Sequence, residues 1–153
     1  MNIQERIEAL ETEFAEKIKA LKAEAQQGDE FPQLGDEYWY IDNDGEVMEM
    51  EWRGIEYDQG RLSIGNVFKT KEQAEFAAEK LKVEAELRKF SVPIFKGCYY
   101  IYMKTEDGML GFGVKRHYKS QGTIYFESEE KANEAIETVG ADRIKKYIFG
   151  VED

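Results

Sequence analysis

One pattern, a strand end followed by a capped helix, occurs twice in this chain, 58 positions apart. In the first copy Thr70 stands where a helix N-cap is expected, and Gln73 three residues later completes a capping box. Small and apolar residues then recur at helical spacing. The matched positions are Phe68, Thr70, Glu72, Ala74, Ala77, Ala78, Glu79 and Leu81 in the first copy and Phe126, Ser128, Glu130, Ala132, Ala135, Ile136, Glu137 and Val139 in the second. The chain is therefore predicted to use one supersecondary unit twice.

Each unit is predicted to begin with a β-hairpin, because Asp44-Gly45 and Asp107-Gly108 are strong signals for a two-residue turn. Centring the first turn there pairs Trp39 with Met50 and gives an apolar face of Trp39, Ile41, Met48, Met50 and Trp52. Centring the second pairs Ile101 with Val114 and Met103 with Phe112, and its apolar face is Tyr99, Ile101, Met103, Leu110, Phe112 and Val114. A third strand is predicted before each helix, at residues 62–68 and 123–126.

Residues 2–27 are predicted to form one long helix ahead of the two units. Its apolar residues are spaced at a mean of about 3.7, which places them on one nearly straight stripe. Two interpretations stay open, namely packing on the helix's own domain and self-association. The self-association residues would be Ile7, Leu10, Phe14, Ile18 and Leu21.

These elements predict an α+β protein with a long N-terminal amphipathic helix followed by two tandem β-hairpin–strand–helix repeats. The expected divisions are residues 1–28 for the helix, 31–90 for the first repeat and 94–150 for the second. No apolar run approaches the roughly 20 residues that a membrane helix needs, and the charged N-terminus has no apolar h-region, so no membrane helix or signal peptide is expected. Cys98 is the only cysteine, which excludes an intrachain disulfide and a cysteine-based zinc site. Cytoplasmic location is the default expectation.

The charge of the chain is uneven as well as strongly acidic, at −11 overall. Residues 31–60 carry −8, whereas residues 61–120 carry +5. A molecule with this charge would repel nucleic acid and attract a basic partner, or a site that normally receives nucleic acid. Direct nucleic-acid binding is therefore not expected.

Several structural motifs accompany the two hairpins, namely Tyr-x-Tyr-Ile, Asp-Gly, Trp52, Gly65-Asn66-x-Phe68-x-Thr70-x-Glu72 and, in the tail, Arg143-Ile144-Lys145-Lys146-Tyr147. On these motifs the chain resembles a family of small uncharacterised proteins from phages and prophages of Gram-positive bacteria. The resemblance covers about residues 30–150, and its motifs are structural. The resemblance implies a biological setting only: small acidic phage proteins are often inhibitors of host defence, including anti-CRISPR proteins that imitate DNA.

The acidic hairpin is the first candidate site. Glu49 and Glu51 lie on one strand face about 6.5–7 Å apart, which is close to the spacing of successive phosphates. With neighbouring acids they would occupy a basic groove, and two tyrosines would anchor the contact. The expected partner-binding residues are Tyr38, Tyr40, Asp42, Asp44, Glu46, Glu49, Glu51, Glu56 and Asp58. The alternative is a solvated face that only confers solubility.

The second candidate surface is basic and aromatic, and comprises Tyr100, Tyr102, Lys104, Lys115 and His117. It could stack on a nucleic-acid strand or pair with the acidic hairpin of another copy. Cys98 and His117 fall opposite each other in the predicted register, which would suit a nucleophile and base, but no third orienting group is evident. Asp42-x-Asp44-Gly45 begins like a calcium loop, although Arg53 stands where that loop needs a glutamate.

The leading functional hypothesis is a non-enzymatic, phage-encoded inhibitor of a host nucleic-acid-directed defence enzyme, of anti-CRISPR type. It would act in the host cytoplasm through its acidic, DNA-mimicking hairpin, and the partner would be a host protein with a basic nucleic-acid-binding groove, such as a CRISPR effector. No cofactor or metal is expected. The alternative is a phage structural or assembly adaptor that forms homo-oligomers through the N-terminal helix. An enzyme using Cys98 is the third hypothesis.

Overall fold

The computed structural model describes residues 2–27 and 30–152, with side chains described outside 23–27. Its class is α+β, with five helices and two two-stranded antiparallel sheets in the described residues, which confirms the predicted class and the long first helix. The elements are α1 (Ile3–Gln27), β1 (Glu37–Ile41), β2 (Val47–Glu51), α2 (Glu56–Ser63), α3 (Lys71–Arg88), β3 (Tyr99–Met103), β4 (Leu110–Val114), α4 (Glu129–Val139) and α5 (Ala141–Tyr147).

The contacts divide the chain into two compact units. Unit 1 comprises Met1–Tyr40 and Met48–Thr70, and unit 2 comprises Ile41–Val47 and Lys71–Asp153. The division into repeats at residues 31–90 and 94–150 stays a prediction.

The first hairpin differs from its predicted register by one residue. Asp42 N–H donates to Glu46 O at 2.9 Å and Trp52 N–H donates to Asp36 O at 2.7 Å, which sets Tyr38 opposite Met50. The loop therefore has three residues with Gly45 at φ 82°, instead of the two residues predicted. A one-residue change exchanges the faces of β1, so Trp39 does not share a face with Met50, and that prediction is wrong.

The second hairpin differs from its predicted register by two residues. Ile101 pairs with Phe112 and Met103 with Leu110. The loop is longer than predicted because Lys104 pairs with Met109, and the Asp107 carboxylate accepts the Met109 N–H at 2.9 Å. A two-residue change preserves the faces, and Tyr99, Ile101, Leu110 and Phe112 pack on the core as predicted. The prediction is wrong for Val114, which ends β4 and is 48% exposed.

The predicted strand at residues 62–68 is not formed: its first two residues end a helix, a turn and irregular backbone follow, and only Phe68 pairs with β1. Helix α2 covers the start of that segment, and Phe68 then forms a single antiparallel bridge to Trp39. The helix was missed because Ile55 at its N-cap offers no side-chain acceptor, and the Asp58 carboxylate accepts the Ile55 N–H at 3.3 Å instead. The predicted strand at residues 123–126 likewise reduces to one bridge, between Tyr99 and Phe126.

The core of unit 2 lies between α3, α4, α5 and the second hairpin. The buried residues of this core are Val83, Leu87, Phe126, Ala132, Ala135, Val139 and Ile144. The small side chains of Ala132 and Ala135 let the helices approach closely. On α3 the buried face runs through Val83 and Leu87, whereas the predicted stripe residue Leu81 is 56% exposed. Residues 147–149 also pack on this core.

Caps define the ends of α4 and α5. Ser128 caps α4 as predicted, since its hydroxyl accepts the Lys131 N–H at 3.1 Å, and Gly140 ends the helix. Gly140 is also the N-cap of α5, and Asp142 lies in the first turn of that helix.

Candidate protein-binding surfaces

Unit 1 is organised around a buried polar network beneath the first hairpin. The Tyr38 hydroxyl donates to the Asp58 carboxylate at 2.7 Å and accepts from Arg61 Nη1, also at 2.7 Å. Tyr38 and Asp58 are both fully buried. The sequence prediction placed these two residues on the partner-binding surface. That placement is wrong, because the register change turns Tyr38 toward Trp52, whose ring centroid is 5.7 Å away.

The network satisfies every polar atom that it buries. The other Asp58 oxygen accepts the backbone N–H of Arg53 at 2.9 Å and of Ile55 at 3.3 Å. Burial acts to raise the pKa of Asp58, but the hydrogen bonds from Tyr38 and the backbone, with the charge of Arg61, hold that pKa below its ordinary value. Burial, with the hydrogen bond to Asp58, raises the pKa of Tyr38. The group is therefore a structural clamp between β1 and α2.

Tyr40 lies on the same side of the hairpin and is half-buried. The Arg61 guanidinium carbon stands 3.7 Å from the Tyr40 ring centroid, and Arg61 Nη1 lies 3.4 Å from the Met50 sulfur. One face of Tyr40 is thus occupied by a cation from within unit 1. Neither Arg61 nor this stacking was anticipated from the sequence.

The opposite face of the hairpin is acidic, and we call Glu37, Trp39, Glu49 and Glu51 the acidic face. In the observed register Glu51 lies opposite Glu37, and Glu49 lies opposite Trp39. All three glutamates are exposed, and within the described residues none of them forms an ion pair. Like charges directly across a strand pair are destabilising. Glu37 was missed because the predicted two-residue turn put it out of register.

The remaining acidic candidates lie in several settings. Asp42 holds the hairpin loop, since its Oδ1 accepts the N–H of Asp44 at 2.9 Å and of Glu46 at 2.8 Å. Asp44 is exposed at the tip of that loop. Glu46 is also exposed. The hydrogen bond that Lys82 donates to Glu79 raises the pKa of Lys82, and the negative charge of Glu46 acts in the same direction. Glu56 is exposed in the first turn of α2, where a negative charge favours the helix dipole.

The second hairpin carries its two candidate tyrosines over glycines. Tyr102 pairs with Gly111 and Tyr100 pairs with Gly113, and the aromatic rings cover the space that a side chain at either glycine would occupy. Lys115 Nζ is 5.0 Å from the Tyr100 ring centroid and donates to Ser120 Oγ. Lys104 and His117 are exposed. The surface joins Tyr100 to Lys115 as predicted, but Lys115 is engaged within the unit.

The cysteine–histidine pair predicted on this hairpin is not formed by the strands. Cys98 O accepts the Lys115 N–H at 2.8 Å, so the residue opposite Cys98 is Lys115 and not His117. The geometric reason for proposing a nucleophile and base is thereby removed.

The apolar stripe of α1 is exposed along its described length. The exposed fractions of the five predicted self-association residues are 43% for Ile7, 52% for Leu10, 60% for Phe14, 50% for Ile18 and 63% for Leu21. The interpretation in which this helix packs on its own domain is not realised in the described residues.

Within the part of the chain that the structure describes, no cluster of three or more histidine, cysteine or acidic side chains has the arrangement of a metal site. None of the described helices combines the length and the apolar character needed to cross a membrane. Comparison of the chain with models of protein families, with curated protein sequences and with solved structures finds no match.

Proposed function

We propose that this protein is a non-enzymatic inhibitor that binds a nucleic-acid-directed host enzyme through the acidic face. The observation that carries the proposal is the group of three exposed glutamates on one face of a strand pair, with Glu37 opposite Glu51 and with no ion pair to any of the three among the described residues. A basic groove would relieve that repulsion and would receive the carboxylates in place of phosphates.

The geometry changes which residues take part in this proposal. Glu37, Glu49 and Glu51 surround Trp39, which replaces Tyr38 as the aromatic contact because Tyr38 is buried. The resemblance to phage and prophage proteins supports an anti-CRISPR-type target in the host cytoplasm.

The test is affinity capture from host lysate with the Glu49→Lys, Glu51→Lys variant beside wild type. Glu106→Lys with Glu127→Lys is the matched control, since it changes net charge equally at two exposed positions of unit 2. We expect wild type and the control to retain a DNA- or RNA-handling enzyme, which duplex DNA should displace. The hairpin variant should retain at most about one tenth as much of that enzyme. Equal retention by all three proteins, or no displacement by DNA, would refute the decoy mechanism.

A second candidate is a structural or assembly adaptor organised by α1, and the exposed apolar stripe of that helix favours it. An adaptor should lose function when the stripe is disrupted by Leu10→Glu and keep it when Glu49 and Glu51 are reversed. The two functions are thus separated by the same pair of variants.

The tandem-repeat architecture belongs with these proposals. Each hairpin is followed by one antiparallel bridge, Trp39 with Phe68 and Tyr99 with Phe126, and then by a helix. This shared order supports a duplicated unit, into which α2 would be a later insertion.

A further inference from the structure

We infer that α1 pairs with α1 of a second copy of this chain, antiparallel and centred on Phe14. Nothing in this inference depends on the acidic face or on inhibition of an enzyme.

An exposed amphipathic helix of this length needs a partner. At about 1.5 Å per residue α1 is roughly 37 Å long, and helices in proteins draw most of their stability from the packing of an apolar face against a neighbour. Its stripe residues are 43–63% exposed between Ile7 and Leu21, and they form one continuous band. Bands of this kind mark association surfaces in proteins.

The spacing of the stripe identifies the partner. The intervals from Ile7 to Leu21 are three, four, four and three residues, so they are the same in either direction from Phe14. An antiparallel copy centred there sets Phe14 beside its equivalent, Leu10 beside Ile18 and Ile7 beside Leu21. Every apolar residue of the band meets another, and a large residue stands at the two-fold axis.

The charges of the helix favour the same orientation. Residues 2–14 contain four glutamates and one arginine, a net charge of −3, whereas residues 15–22 contain three lysines and one glutamate, a net charge of +2. Antiparallel pairing places each acidic half beside a basic half and opposes the two helix dipoles. Parallel pairing would place the two acidic halves side by side.

The first experiment measures the mass of the intact protein in solution by sedimentation equilibrium. Wild type is expected to be a dimer at micromolar concentration and Leu10→Glu a monomer. Thr12→Glu, on the polar side of the same helix, is the matched control and should stay dimeric. A monomeric wild type, or dimers in all three proteins, would overturn the inference.

The second experiment fixes the orientation by disulfide trapping in a Cys98→Ser background, which removes the only native thiol. In the antiparallel pair Leu10→Cys lies opposite Ile18→Cys, so mixing the two variants should give a heterodimeric disulfide. Two copies of Leu10→Cys would stand eight residues apart, about 12 Å along the axis, which is too far for a disulfide. Rapid trapping of Leu10→Cys with itself would show a parallel pair and reject the proposed geometry.

Discussion

Tyr38 connects β1 to two side chains of α2 through one hydroxyl group. It donates to the fully buried Asp58 at 2.7 Å and accepts from the partly exposed Arg61 at 2.7 Å, and it is itself fully buried. Tyr38→Phe removes both hydrogen bonds without changing the shape of the ring. We expect the free energy of unfolding to fall by about 1–3 kcal/mol, because buried partners are left unsatisfied. Urea denaturation measures this, and Tyr57→Phe at a 76% exposed ring is the control that should change little.

Asp58 gives the same network a dependence on pH. Its pKa in the folded protein is lower than the ordinary 3.8, so the ionised carboxylate stabilises the fold fully above that value. The stabilisation is lost as pH falls from 3.8 through the lower folded pKa. Denaturation measured across this acid range should therefore show a steeper loss for wild type than for Asp58→Asn, which is less stable at neutral pH. Parallel curves for the two proteins would contradict the assigned role of the carboxylate.

Loop length decided how well each hairpin could be predicted. The Asp-Gly pairs identified both turns, but the loops contain three and four residues, since Asp42 and Asp107 each bind backbone N–H groups that a two-residue turn would not offer. A register error of one residue exchanged the faces of β1, so Tyr38 and Glu37 were misplaced. A register error of two residues in the second hairpin left Tyr99 and Phe112 on the correct side. The strands were therefore predictable, but one acidic site was not.

Helices were predicted better where a side-chain cap was present. Ser128, which matches the predicted N-cap Thr70 in the sequence, caps α4 in the structure. Helix α2 has Ile55 at its N-cap and Gly60 inside it, and it is stabilised by tertiary contacts of Asp58 that local pattern cannot reveal.

Strand β4 requires glycine where the tyrosine rings of β3 cross it. A Cβ atom at Gly113 would stand 2.3 Å from the Tyr100 ring, so Gly113→Ala must displace that ring or the strand. We expect a loss of about 1–3 kcal/mol in the free energy of unfolding. Gly60→Ala is the control, because it has open space in α2 and should be neutral or stabilising by about 0.5–1 kcal/mol. Equal effects in thermal denaturation would show that the ring contact is unimportant.

At the scale of the whole molecule, association and helix formation should be coupled. If α1 is completed by a second copy, its ellipticity at 222 nm rises with protein concentration, because dimerisation stabilises the helix by mass action. Leu10→Glu should abolish this dependence and leave the ellipticity of the rest of the chain in place, since Leu10 is 52% exposed and outside the core. If the ellipticity of wild type at 222 nm does not change with protein concentration, α1 is not stabilised by pairing with a second copy.

The symmetry of the α1 stripe about Phe14 has a consequence for the strength of binding. A particle joined at that helix carries two acidic faces, so it is bivalent toward any target that is itself paired or arrayed. The second contact would then form within one complex, at an effective concentration set by the linkage, and the combined avidity can exceed a single contact by about 10²–10⁴-fold. A pair of weakly binding acidic faces would in that way form a long-lived complex without any additional contact residue.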